Sequence, residues 1–298
     1  MTFKQLEALY WVAQLGGFLP AAIKLHTTQS AISKRIHELE SLLDVDLFDR
    51  HQRTSRLTEK GEEMMILAKR MLDMRTASLE QISSPHVIER TIRIGVTELT
   101  AMTWLPRLIA LIQRNYPRVT VEPDVDMSLN LREKLFTDDI DLMIVPDAFA
   151  EARFASQPVG QVENVWMCKP GLLDHTQPIQ LHELGKHKLL IDKSGSGLLY
   201  HRWFKSIGFK PADKLISNSI VALMALTISG LGVGYFPRHC LQQLVTMGKL
   251  VELDIFPTLP LTTYVAMYKA DVRSELVSSI IMLAQDCCNF NTILRSEP

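Results

Sequence analysis

Cysteine is scarce in this chain and poorly placed for chemistry. Four occur in 298 residues, Cys168, Cys240, Cys287 and Cys288, and no two show CxxC spacing. Neither a zinc site nor a thioredoxin-like redox motif has its usual signature. The adjacent pair lies in an apolar terminal segment and reads as reduced core thiols. Long apolar runs are missing too, and nothing approaches the roughly 18 residues that mark a membrane span. The N-terminus has no charged stretch followed by an apolar core, so no secretory signal is expected. There is no surplus of either charge: 32 Lys and Arg face 33 Asp and Glu, a formal net charge of −1, so the chain as a whole is no polycation. HExxH, Cys/His ligand spacing, a phosphate-binding loop and paired carboxylates beside a histidine are all lacking. These absences leave an enzyme little to work with. No catalytic residue, metal or cofactor is expected, and no membrane partner. The expected compartment is the cytoplasm.

What the chain does have is core. With 47% hydrophobic and 22% charged residues it can bury a sizeable interior and is not disordered as a whole. Its length predicts two or three compact units.

The first unit is organised around Thr27 to Glu40. Ile32, Ile36, Leu39 and Leu43 are spaced 4, 3 and 4, the buried stripe of a helix. Thr28 is placed to cap its start. The opposite face carries Gln29, Ser30, Ser33, Lys34 and His37. Short donors and acceptors followed by a cation suit a helix whose N-terminal end enters a major groove. An ordinary amphipathic helix with a solvated face would look alike, so the neighbours decide. Phe18 to Leu25 is a short segment with Ala21, Ala22 and Leu25 on one side, and His26 to Thr28 makes a tight turn. Two short helices, the second polar-faced, make a helix-turn-helix. Ahead of them, Thr2 to Gly16 reads as a first helix, with Thr2 and Gln5 as its capping box.

Charge placement supports this reading. Arg50 to Lys60 holds four cations, Arg50, Arg53, Arg56 and Lys60, with His51, against Glu59 alone. Such a patch can neutralise phosphates although the whole chain is near neutral. Leu47 to Arg50 and Arg56 to Thr58 read as two short strands around a polar tip, a wing. Thr58 then caps a long helix, about Glu59 to Ile82, with acids in its first turns. Met64, Leu67, Met71 and Met74 form one stripe on it, and Met65, Leu72 and Leu79 another. Ser83-Ser84-Pro85 breaks it as a hinge.

From Thr91 strands alternate with helices, which means a parallel α/β sheet. Ile92–Val96, Val119–Val125 and Ile140–Val145 read as strands, with helices at Leu105–Ile112 and Leu129–Phe136. A second run starts near Val162. It holds strands at Leu189–Ile191, Leu215–Ile216 and Val233–Tyr235, and helices at Leu198–Ile207 and Ser219–Ser229. Leu261 to Tyr268 and a last helix, about Arg273 to Phe290, return to the first lobe. Two lobes joined by two crossovers leave a cleft.

Phe3 to Gly61 resembles the DNA-binding end of the LysR-type transcriptional regulators. The matching residues are spread over the whole stretch: Phe3, Gln5, Leu6, Phe18, Ala21, Ala22, Leu25, His26, Gln29, Ser30 to Ser33, Ile36, Leu39, Glu40, Val45, Leu47, Phe48, Arg50, Arg53, Leu57, Thr58 and Gly61. Three departures from the family pattern stand out. Leu19 and Pro20 replace a small hydroxyl and a polar residue, Ser30 a proline, and Asp44 a glycine. The resemblance implies an α/β chain: an N-terminal winged helix-turn-helix, a long linker helix that pairs with its twin, then a two-lobed, periplasmic-binding-protein-like effector domain. The expected domains are 1–58, 59–90 and 91–298, with lobe one at about 91–161 and 268–298 and lobe two at about 162–267. Gln29, Ser30, Ser33 and Lys34 are expected at base edges, and Arg50 and Arg53 at the backbone or minor groove. Double-stranded DNA, a small-molecule effector and a second copy, as homodimer or homotetramer, are the expected partners. The family reading also leaves room for RNA polymerase.

Ligands of open α/β sheets bind beyond the carboxyl ends of strands, at helix starts. Those points hold Thr97, Glu98, Thr100, Ser128 and Phe149 in the first lobe. In the second they hold Ser194, Ser196, Asn218 and Ser219. Hydroxyls and backbone N–H groups converging there favour a small anion. Glu98 opposes that unless it pairs or faces away, and otherwise points to an amine-bearing or zwitterionic ligand. Two other functions compete: a solute-binding protein with a fused nucleic-acid-binding module, and an enzyme using the cleft.

Overall fold

A computed structural model of the protein describes residues 1–49, 56–82, 88–270 and 274–293. They fall into two compact units that divide between residues 82 and 88. The proposed hinge at Ser83-Ser84-Pro85 lies outside the described residues.

The first unit holds α1 (Phe3–Leu15), α2 (Phe18–Lys24), α3 (Gln29–Leu43) and α4 (Glu59–Ile82). The Thr2 hydroxyl accepts from the Gln5 N–H, and the Gln5 side chain accepts from the Thr2 N–H, so the capping box forms. Gly16 ends α1 in the left-handed conformation. Gly17 stands at the N-cap of α2 without a side-chain cap, beside the exposed Leu19 and Pro20. Thr28 caps α3 through the Ala31 N–H at 3.2 Å. Asp44 ends α3 at φ 55°, the left-handed geometry that glycine adopts more easily.

The base of the wing is in place. Phe48 bridges Leu57, the Asp49 N–H donates to the Arg56 carbonyl at 2.8 Å, and Thr58 donates to Leu47 at 3.0 Å. Its tip, with Arg50 and Arg53, lies outside the described residues. Glu40 is buried, and its Oε1 accepts the N–H groups of Leu47 and Phe48 at 2.9 and 3.3 Å. Thr58 caps α4 through the Gly61 N–H. A Cβ on Gly61 would lie 2.0 Å from the Leu47 carbonyl oxygen, so only glycine lets wing and helix meet. Leu6, Leu9, Val12, Ala21, Ala22, Ile32, Ile36 and Leu39 form the core, and Met64 and Ala68 of α4 complete it.

The second unit has two five-stranded sheets. In chain order it runs β1 (Arg90–Val96), α5 (Glu98–Thr103), α6 (Leu105–Asn115), β2 (Val119–Val125), α7 (Ser128–Phe136), β3 (Leu142–Pro146), β4 (Phe154–Val162), β5 (Asn164–Cys168) and β6 (Ile179–Gln180). There follow α8 (Leu181–Leu184), β7 (Lys188–Asp192), α9 (Gly197–Ser206), β8 (Asp213–Ser217), α10 (Ile220–Ser229), β9 (Val233–Pro237) and α11 (Gln242–Thr246). The chain continues with β10 (Val251–Leu253), β11 (Ile255–Phe256), β12 (Thr262–Lys269) and α12 (Glu275–Cys287). The first sheet is ordered β2-β1-β3-β12-β4 and the second β10-β5-β9-β7-β8. β1 lies parallel between β2 and β3, and β7 parallel between β8 and β9. β12, β4, β5 and β10 run antiparallel to their neighbours, so the parallel sheets predicted from the alternation carry antiparallel edges.

One boundary moves. All of Thr262–Lys269 pairs with β3 or β4, so the return to the first lobe comes at about 262 rather than 268. The backbone ladder fixes this strand, and Tyr264 and Ala266 then turn into the first lobe's core. The two crossovers are tied together at one hydroxyl. Tyr200 Oη accepts from Asn164 Nδ2 at 2.9 Å and from Thr262 Oγ1 at 3.2 Å, and donates to the Pro260 carbonyl at 3.0 Å.

Candidate functional site

Gln29, Ser30, Ser33, Lys34 and His37 are all exposed on α3, while Ile32, Ile36 and Leu39 of the same helix are buried. The helix is thus anchored along one face and presents its short polar side chains along the other. Thr28 and Ser30 hydroxyls lie 3.0 Å apart, and Lys34 forms a loose ion pair with Glu38 at 3.9 Å. An exposed pair of this kind is worth little and leaves the ammonium available.

The second candidate site lies between the lobes of the second unit. It is a cavity of about 230 Å³ at the carboxyl ends of β1, β2, β7 and β8. Thr97, Glu98, Leu99, Asp126 and Met127 line it from the first lobe, and Asp192, Ser194, Gly195, Asn218, Ser219 and Ile220 from the second. Glu98 crosses the gap. Ser219 Oγ donates to Glu98 Oε1 at 3.0 Å, and the Ile220 N–H donates to Oε2 at 2.6 Å. Ser219 meanwhile caps α10 by accepting the Ala222 N–H. The positive end of α10 is therefore held by a carboxylate of the chain itself.

The other charged groups of the lining, Asp126 and Asp192, are acidic. Burial pushes the Asp192 carboxyl up to about 7, and the Glu98 charge adds to the push, against hydrogen bonds from the Ser194 and Gly197 N–H groups. A Cβ on Gly197 would lie 1.9 Å from the Asp192 carbonyl oxygen, so glycine permits this tight turn. Burial also acts to raise Asp126. Hydrogen bonds from Lys134, the Met127 N–H and Asn130 outweigh it and hold the carboxyl below its ordinary value. Lys134 reaches Asp126 at 2.9 Å and Asp124 at 2.7 Å. Among the described residues the cavity lining includes no lysine, arginine or histidine. The expectation of an anionic ligand is at odds with this lining: the helix end that would bind the anion is taken, and two carboxylates face the space.

Of the nine cleft residues expected from sequence, Thr97, Glu98, Ser194, Asn218 and Ser219 line the cavity. Thr100, Ser128, Ser196 and Phe149 do not. Thr100 and Ser128 are fully buried, and their hydroxyls make no hydrogen bond among the described residues. Ser196 is buried and accepts from Asn164 Nδ2 at 3.3 Å. Phe149 packs against the cluster around Met143 and Val265, with Arg132 over its ring. Thr100, in the first turn of α5, and Ser128, the first residue of α7, turn into the core, and Phe149 lies in the loop between β3 and β4. The sequence reading missed Asp126, the residue just after β2, and Asp192, the last residue of β7, and their position was the available signal.

Residues 3–62 match the family model described as bacterial regulatory helix-turn-helix protein, lysR family, and residues 86–288 match the LysR substrate binding domain. The transcriptional regulator CfxR of Cupriavidus necator is 26% identical over 262 residues, covering 87% of this chain and 82% of CfxR. Full-length OxyR of Pseudomonas aeruginosa superposes with a TM-score of 0.69 at 21% identity, over 100% of this chain and 99% of that one. Full-length LysG of Corynebacterium glutamicum, described with bound effector Arg, gives 0.64 at 18% identity, over 96% and 98%. Matched in order by both domain models, this chain belongs to the LysR family of transcriptional regulators.

Proposed function

We propose that the protein binds double-stranded DNA sequence-specifically as an oligomer and is controlled by a small molecule held in the interlobe cleft. The observation that carries the first half is the exposed face of α3, with Gln29, Ser30, Ser33 and Lys34 set opposite a buried stripe. These four read base edges, and Arg50 and Arg53 of the wing hold the phosphates or the minor groove edge. Thr97, Glu98, Ser194, Asn218 and Ser219 surround the effector. The chain is a regulator rather than an enzyme, as the relatives' descriptions as transcriptional regulators support. The fused helix-turn-helix disfavours a solute-binding role. Such a regulator works in the cytoplasm.

The working division is 1–58 for DNA, 59–90 for pairing and 91–298 for the effector. Homodimerisation through α4 fits its surface. Leu67, Met71, Met74 and Leu79 are exposed, and Met71, Met74 and Leu79 border an apolar groove with Met1 and Phe3. Met64 and Leu72 pack on their own unit's core, so the pairing face is Leu67, Met71 and Met74 of the first stripe with Leu79 of the second. A dimer places two recognition helices about 34–36 Å apart, or a multiple, on a dyad-symmetric site. Pairing of effector domains would extend this to a tetramer.

A gel shift on the DNA upstream of the protein's own coding region, against random DNA, tests the reading. Ser33→Ala and Gln29→Ala should each reduce discrimination by about 1–3 kcal/mol. Unchanged discrimination in both would put the wrong helix face in the groove.

A further inference from the structure

We propose, resting on the reading of the interlobe cleft as the effector site, that the effector carries a protonated amine or guanidinium held between Glu98 and Asp192. Three observations point there. The N-terminus of α10, where an anionic ligand would dock, is already occupied by the Glu98 carboxylate through Ser219 and Ile220. The other acid on the first lobe's wall, Asp126, has its own cation in Lys134. Glu98 and Asp192 have none: neither forms an ion pair with any described residue, and the lining offers no basic side chain.

Two carboxylates facing one cavity without a counter-charge repel each other. A cation between them relieves that repulsion and touches both lobes, since Glu98 belongs to the first and Asp192 to the second. Only a ligand that binds one closure state better than the other can shift the equilibrium, and bridging opposite walls supplies that difference. Thr97, Ser194 and Asn218 add uncharged hydrogen-bonding groups around the rest of the molecule. The cavity of about 230 Å³ selects a ligand of few heavy atoms.

Thermal unfolding of the full-length protein at pH 7.5 and moderate salt provides the test. The cationic probes are 1,4-diaminobutane, L-lysine and L-arginine, and the anionic ones succinate and butyrate. At least one cation should raise the midpoint saturably while both anions leave it unmoved. Glu98→Gln and Asp192→Asn should each weaken that cation at least tenfold. Glutamine keeps an oxygen to accept from the start of α10, so loss of the helix cap is not what is read. Silence from all three cations, or a cation shift unchanged in both variants, overturns the proposal. Asn218→Leu separates this failure from failure of the cleft reading, because it fills the same wall without changing its charge. An anion whose shift disappears in Asn218→Leu leaves the cleft as the effector site and overturns only the charge assignment. Ligands of either sign that bind Asn218→Leu as they bind the wild type remove the cleft reading itself.

Discussion

The Glu98 carboxylate of one lobe accepts the backbone N–H of Ile220 in the other at 2.6 Å. With the Ser219 hydroxyl at 3.0 Å, the contact acts as a cap on α10 supplied by a distant part of the chain. Hydrogen bonds to a charged group contribute about 1.5–3 kcal/mol each, and repulsion from Asp192 offsets part of that. Glu98→Ala should therefore destabilise the second unit by about 1–2 kcal/mol. Amide hydrogen exchange locates the effect: the Ile220 N–H should exchange faster, while amides in β1 keep their protection. Equal acceleration in both would mean that the variant loosens the whole unit and that the contact is not a local cap.

Asp192 makes stability depend on pH in an unusual direction. Its carboxyl titrates near 7, raised from 3.8 by burial first and by Glu98 second. Between those values the folded chain holds a proton that the unfolded chain has released, so stability falls as pH rises through the window and levels off above about 7. Glu98 faces the group across the cleft. Tyr235, which accepts the Asp192 N–H at 3.1 Å, and Tyr264 pack behind it as neutral phenols. Asp192→Asn removes the penalty and keeps an oxygen to accept the Ser194 N–H. The variant should be more stable than wild type at pH 8, by about 2–4 kcal/mol, and the difference should shrink steadily towards pH 5. Urea titrations at three pH values read it. A difference independent of pH would show that Asp192 does not titrate in this range.

The first unit was legible because its signals are local. Thr2 with Gln5, Thr28 before α3 and the Ile32, Ile36, Leu39 stripe each act within a few residues, and all appear where the sequence placed them. The parallel strands were legible from their apolar runs. The antiparallel edges were not: Phe154–Val162 alternates weakly, and its pairing with β12 closes more than 100 residues away in sequence. The cleft was half legible. Strand ends could be found, but whether a hydroxyl just inside a helix faces outward depends on the helix phase against the sheet. The partner of Glu98 lies over 120 residues downstream and leaves no local trace.

Asp44 holds the left-handed turn after α3 at φ 55°, where the family pattern has glycine. Aspartate tolerates this region better than most residues, yet a Cβ still opposes it. Asp44→Gly should stabilise the first unit by about 0.5–1 kcal/mol, read as a shift in urea midpoint with unchanged slope. Destabilisation would show that the Asp44 side chain contributes more than the turn conformation takes away.

Thr100 separates a structural residue from a ligand contact. It is the third residue of α5, fully buried, and its hydroxyl has no hydrogen-bond partner among the described residues. An unsatisfied buried hydroxyl is a liability of about 1–3 kcal/mol, whereas an isosteric methyl in its place is at home in a core. Valine keeps the shape and the branching at Cβ, so helix preference changes little. Thr100→Val should thus leave the stability unchanged or raise it by about 1 kcal/mol, and should leave the ligand-induced thermal shift intact. Thr97, one turn earlier and on the cavity wall, is the internal control: Thr97→Val removes the hydroxyl of a lining residue, which donates to Tyr264 Oη at 3.5 Å, and should weaken the same shift. If Thr100→Val abolishes the shift while Thr97→Val does not, the cavity wall lies on the other side of α5 and the residues assigned to the cleft must be redrawn.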